Sequence, residues 1–149
     1  MFANIVVPID GSEPAAAAID LALRMVKEQR AALSFIYVLE IEKLAIATVP
    51  VSMNPELIFD EARKAAEEIL TGAKARAKKA GVEADVRLLE GDCVDSVLQF
   101  ARDNKSELIV IGSHGRTGIT RALLGSVAEG IIRRAPVPVL VTHPPQAAP

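Results

Sequence analysis

The feature that most constrains this chain is a repeated change of hydrophobic period. Short apolar runs rich in Val and Ile alternate with longer stretches whose apolar residues return every three or four positions. Asn4 to Ile9 (NIVVPI), Leu33 to Leu39 (LSFIYVL), Val82 to Leu89 (VEADVRLL), Leu108 to Ile111 (LIVI) and Val137 to Thr142 (VPVLVT) read as strands. Unbroken apolar runs such as the first belong to strands covered on both faces. After the first run, Ala15, Ala18, Ile19, Ala22 and Val26 share one face of a helix, with Ser12 placed to cap it and Pro14 suited to its first turn. Glu56 to Ala80 predicts a long amphipathic helix ended by Gly81. Gly91-Asp92 opens another, with Val94, Val97, Leu98 and Ala101 on one face, and Ser126 to Ala135 predicts the last. Ile41 to Asn54 fits no period and reads as an irregular excursion. Strands alternating with helices mean a parallel sheet with right-handed crossovers. At 149 residues, without repeat or linker, the expectation is a single doubly wound α/β domain, Rossmann-like, with helices on both faces of a five-stranded sheet.

Composition narrows the function. Half the residues are hydrophobic but only 3% are aromatic, so the core must be built from Val, Ile, Leu and Ala. A net charge of -2 argues against nucleic acid, whose phosphates attract basic faces. A single cysteine, Cys93, cannot form an intrachain disulfide, which suits a reducing compartment. The start MFANIVVPID has no basic region leading into a long apolar core, and no apolar stretch reaches the roughly 18 residues of a membrane span. A cytoplasmic protein is expected.

Chemistry concentrates in residues 112 to 126, GSHGRTGITRALLGS. In doubly wound sheets ligands bind beyond the carboxyl ends of the strands, where the strand order reverses. If the first and fourth strands are neighbours there, this stretch faces Asp10-Gly11-Ser12 across the crevice. Gly112 and Gly115 would let the backbone approach a ligand and permit positive φ. Gly125-Ser126 would begin a helix whose free amides favour an anion. A capping box, with Ser126 capping and Glu129 reaching back, explains that helix start by itself. It leaves Gly112, Gly115 and Gly118 without a role, so an anion site is the stronger reading. The stretch contains neither Gly-Lys-Ser/Thr nor G-x-G-x-x-G.

The spacing that does stand there, G-x2-G-x9-G-S at Gly112, Gly115, Gly125 and Ser126, closely resembles the nucleotide-binding members of the universal stress protein family. The opening IVVPIDGSEPA and the closing RRAPVPVLV extend the resemblance over nearly the whole chain. The sheet order expected is 3-2-1-4-5. The resemblance implies that Asp10, with Pro8 beside it, lies near the adenine end of a nucleotide and that the backbone of Val38 contacts adenine. It also implies that Gly112 passes the ribose, while Gly115, Gly125, Ser126 and Val127 line the phosphates. His114 and Arg116 approach the phosphates from outside. A carboxylate at Asp10 would repel a triphosphate but can accept a hydrogen bond from an amine or a ribose hydroxyl.

ATP is the expected ligand, with AMP or ADP as alternatives. Mg²⁺ would be held mainly by the triphosphate oxygens and water, because protein carboxylates are scarce in the loop. No Ser-His-Asp order or carboxylate pair suggests catalysis, and Asp10-Gly11-Ser12 does not match the serine-glycine-glycine loop of related adenylating enzymes. Binding and signalling through an unknown regulatory partner therefore lead. A slow ATPase or phosphotransfer enzyme and an interaction module with a vestigial site are the alternatives. Cys93 reads as a small packing residue, and neither His114 nor His143 has a ligand at metal spacing. The last strand, carrying Pro136 and Pro138, should be a sheet edge whose free amides at Leu140 and Thr142 pair with a second copy, as the resemblance also implies.

Overall fold

In the computed structural model, residues 1–48, 54–115 and 123–144 are described. Ten elements follow one another: β1 (Asn4–Pro8), α1 (Glu13–Gln29), β2 (Ala32–Leu39), α2 (Ile41–Thr48), α3 (Pro55–Lys79), β3 (Asp85–Glu90), α4 (Cys93–Asp103), β4 (Leu108–Gly112), α5 (Ser126–Arg134) and β5 (Val139–Thr142). The five strands form one parallel sheet in the order β3-β2-β1-β4-β5, as expected.

Side chains on a strand alternate between faces, and two cores result. Ile5, Val7, Leu33, Phe35, Leu108 and Val110 pack on α1 and α3, whereas Val6, Ile36, Ile109 and Ile111 pack on α4 and α5. Both faces of β1 are therefore covered, which is why its sequence runs apolar without a break. Burying a side chain such as Phe35, which is fully enclosed, contributes about 1.5–3 kcal/mol.

The helix ends follow local chemistry. Ser12 caps α1 by accepting from the Ala15 amide at 3.3 Å, and Asp92 caps α4 by accepting from Asp95 at 2.9 Å. Gly81, at φ 78°, ends α3: its amide bonds the Lys78 carbonyl, and the Val82 amide bonds Ala77. That use of Val82 corrects the expected strand Val82–Leu89. The residue belongs to the helix stop, and pairing starts only at Asp85. Ile41–Asn54 also needs correction, because Ile41–Thr48 is helical. The rest of that stretch before Asn54 lies outside the described residues.

β5 is an edge strand, but the expected parity of its amides is wrong. Ile109 donates to the Pro138 carbonyl at 3.1 Å and Ser113 donates to the Thr142 carbonyl at 2.8 Å. Even-numbered residues of β5 thus face β4, and by alternation the Leu140 amide does too. The outward amides are those of Val139 and Val141. Pro138 turns its nitrogen inward by the same alternation, and Pro136 lies in the bend before the strand.

Candidate functional site

β1 and β4 are neighbours, and the chain leaves them toward opposite edges of the sheet. The crevice at the carboxyl ends of these two strands is lined by the residues that follow each. After β1, Asp10 Oδ1 accepts from the Ser12 amide at 3.0 Å, making a tight turn through Gly11, whose φ of 82° requires glycine. After β4 come Ser113, His114 and Gly115. The two loops touch: a Cβ on Gly115 would lie 2.5 Å from Asp10 Oδ2. Two segments a hundred residues apart in sequence thus meet as expected, and Gly115 allows the approach.

The other glycines make room for neighbouring parts of the chain. A Cβ on Gly112 would fall 2.7 Å from the carbonyl carbon and Cβ of Pro14 and 2.9 Å from the Ala15 nitrogen. Gly112 is thus the slot into which the first turn of α1 docks. Neither Gly112 nor Gly115 has positive φ. Gly125 donates to the Ser113 carbonyl at 2.7 Å, and a Cβ there would sit 2.9 Å from the His114 Cα. The end of β4 and the start of α5 are therefore drawn together in a narrow neck. Arg116 and Gly118 lie outside the described residues.

The capping-box expectation also fails. Gly125 is the N-cap of α5, no side chain caps it, and Ser126 is the exposed first residue of the helix. Glu129 turns instead to Arg133 at 2.8 Å. With no side-chain cap among the described residues, the first turn of α5 has the amide donors and partial positive charge that favour an anion. Gly130, unusual inside a helix, lets α4 come close, since a Cβ would meet Val94 Cγ2 at 2.9 Å.

Pro8 is buried at the end of β1. β2 runs past that point, and the Ile36 carbonyl accepts from Ile9 at 2.8 Å. Alternation turns the Val38 backbone to the same side, beyond the end of β1. Val38 and Val127 are partly buried against the same core, which Cys93 also joins. Burial, then the Glu40 and Asp92 carboxylates, push the Cys93 thiol up to about 12, while Lys43 acts in the opposite direction. An unreactive packing role for Cys93 is what that environment produces.

Two residues of this region were missed as candidates in the sequence. Ser113 is buried with its hydroxyl 3.0 Å from His114 Nδ1. Thr142 Oγ1 donates to the carbonyls of Pro14 (3.1 Å) and Ile111 (3.3 Å), tying β5 to the start of α1. Ser113 could be suspected from its place in the motif. The partner of Thr142 is 128 residues away, and nothing local announces it. No group of three His, Cys, Asp or Glu that could hold a metal ion occurs among the described residues. None of the described helices is long and apolar enough to cross a membrane.

A parallel sheet in this order, with two loops meeting at its topological switch point, defines a doubly wound α/β protein. The chain belongs to the universal stress protein family, whose family model matches residues 1–143. It is 36% identical to a universal stress protein of Methanocaldococcus jannaschii over 98% of this chain and 85% of that one. It is 34% identical to a universal stress protein of Bacillus subtilis over 96% and 100% of the two chains. Among solved structures, a hypothetical protein designated MJ0577 superposes with a TM-score of 0.85 at 22% identity, covering 99% of each chain, a likeness of fold. A universal stress protein in complex with cAMP matches with a TM-score of 0.70 and 28% identity over 97% of this chain and 98% of that one. One from Archaeoglobus fulgidus in complex with dAMP has a TM-score of 0.70 and 25% identity over 93% and 96%.

Proposed function

We propose that this chain binds an adenine nucleotide in the crevice between β1 and β4, and that nucleotide state governs its association with a regulatory protein partner in the cytoplasm. The observation that carries the reading is the meeting of Asp10 with Gly115 beside the uncapped start of α5. One end of the crevice offers a carboxylate for an amine or ribose hydroxyl, and the other offers helix amides for phosphate. The cAMP and dAMP complexes of family members support it. ATP is the preferred ligand, with AMP and ADP able to occupy the same place, and the G-x2-G-x9-G-S spacing, which resembles that of the ATP-binding subgroup, supports this reading. In this reading Pro8 and Val38 flank the base, while Gly115, Gly125, Ser126 and Val127 follow the phosphates with His114 and Arg116 outside them. Gly112 acts one step removed, by seating α1. Mg²⁺ comes with the triphosphate, held by its oxygens and water.

Turnover should be slow, since among the described residues the carboxylate facing the crevice, Asp10, is assigned to the base and ribose end, away from the phosphates. A rate above about one per second with Mg²⁺ and no partner would put the protein among enzymes instead. The proposed assembly is a homodimer in which β5 pairs antiparallel with its copy through the outward amides of Val139 and Val141.

Calorimetric titration with ATP tests the binding, with a dissociation constant near micromolar expected, about -8 kcal/mol. Gly125 is a poor position to mutate, because a side chain there strikes the His114 backbone whether or not a nucleotide binds. Ser126→Ala is cleaner, as its side chain is exposed and caps nothing. Loss of a charge-assisted hydrogen bond, worth about 1.5–3 kcal/mol, should weaken ATP at least tenfold. Equal affinity in the wild type and Ser126→Ala would remove α5 from the site.

A further inference from the structure

Ser113 is a polar residue in an almost sealed position, only 1% exposed. Its backbone is fully engaged, the amide with Thr142 at 2.8 Å and the carbonyl with Gly125 at 2.7 Å. Its hydroxyl has one partner among the described residues, Nδ1 of His114 at 3.0 Å. No described group hydrogen-bonds to Nε2 of the same ring.

A buried hydroxyl hydrogen is costly to leave without an acceptor. In a neutral imidazole one nitrogen accepts while the other carries the proton. Donation of the hydroxyl to Nδ1, with the ring proton on Nε2, is the arrangement that gives the buried hydrogen an acceptor. The backbone of His114 is held as well, by the close packing of Gly125 on its Cα. We propose that Ser113 is a positioning residue that fixes His114 as the Nε2–H tautomer and so sets a hydrogen-bond donor for a nucleotide phosphate oxygen at the root of the glycine loop. The identity of the acceptor rests on the proposed nucleotide site; the tautomer does not.

The chain has only two histidines, and His143 is exposed, so it serves as an internal reference. Long-range ¹H–¹⁵N spectra of ligand-free protein with ¹⁵N-labelled histidine should show His114 with a pyridine-like Nδ1 and a pyrrole-like Nε2. Ser113→Ala should return His114 to the averaged pattern of His143. In titrations the same variant should weaken ATP about three- to tenfold and leave adenosine, which has no phosphate, unchanged. Added to His114→Ala, it should produce no further loss. An unchanged ring spectrum in Ser113→Ala overturns the proposal, as does an affinity loss that persists in full in the His114→Ala background. Should Ser113→Ala fail to fold, the wild-type spectrum still decides, because an averaged or Nδ1–H pattern there overturns it. A wild type that binds no nucleotide takes down the proposed function, and the ring spectrum then decides the role of Ser113 alone.

Discussion

An alanine at position 112 would place its methyl group 2.7 Å from two carbons of Pro14 and 2.9 Å from the Ala15 nitrogen. Two of these three atoms are backbone, so no side chain can swing away. Relief requires α1 to retreat from β4 by about 0.7 Å to reach ordinary contact. The helix is not free to do so, because the Ser12 side chain caps it and Thr142 holds the Pro14 carbonyl. Overpacking of a tight interior costs about 1–3 kcal/mol, and the backbone clash puts Gly112→Ala at the upper end, about 2–3 kcal/mol. For a chain of this length that corresponds to a fall of roughly 5–10 °C in Tm and a drop of about 1 M in the urea midpoint. Far-ultraviolet circular dichroism of the ligand-free protein measures both. A midpoint equal to the wild type, with nucleotide affinity lost instead, would show that Gly112 makes room for a ligand and not for α1.

Gly72, exposed in the middle of α3, has nothing within 4 Å of its absent Cβ. Gly72→Ala should therefore raise stability by about 1 kcal/mol, and a lower Tm would count against the α3 geometry. Cys93 in the folded protein should react with iodoacetamide at pH 8.5 roughly a hundredfold more slowly, or slower still, than in urea-unfolded chain, because its thiol is pushed up to about 12 from 9.0. The unfolded chain releases that proton first, so stability should decline as pH climbs from 9 toward 12, an effect that Cys93→Ser removes from pH-dependent urea melts. Val141→Pro should abolish the proposed homodimer in sedimentation while leaving the fold intact. Leu140→Pro should lower Tm instead, since its amide faces β4. The opposite pairing of outcomes would mean that the register of β5 is wrong.

The sheet was legible because β-branched runs and amphipathic stretches follow different periods, and because Asp10-Gly11-Ser12 and the glycine stretch are local signals. α2 was not legible. IEKLAIAT spreads apolar residues around the helix, and Ile46 is 88% exposed, so no buried stripe marks it. Sequence also cannot show which glycines make room for the chain itself, as Gly112 does for Pro14, 98 residues earlier. The amide parity of β5 depends on a one-residue choice of register. Either choice is compatible with VPVLVT, and only the pairing of Ile109 with Pro138 decides between them. At the start of α5, Ser126 and Glu129 have the spacing of a capping box, yet the neck at Ser113 draws Gly125 into the capping position.

That neck also bears on how the walls of the crevice can move. The chain departs at Ser113 and is back, one hydrogen bond away, at Gly125. The end of β4 and the start of α5 are thus joined directly, by a bond between backbone atoms. Any change that shifts the end of β4 is passed straight to the first turn of α5, so these two walls of the crevice should move as one body.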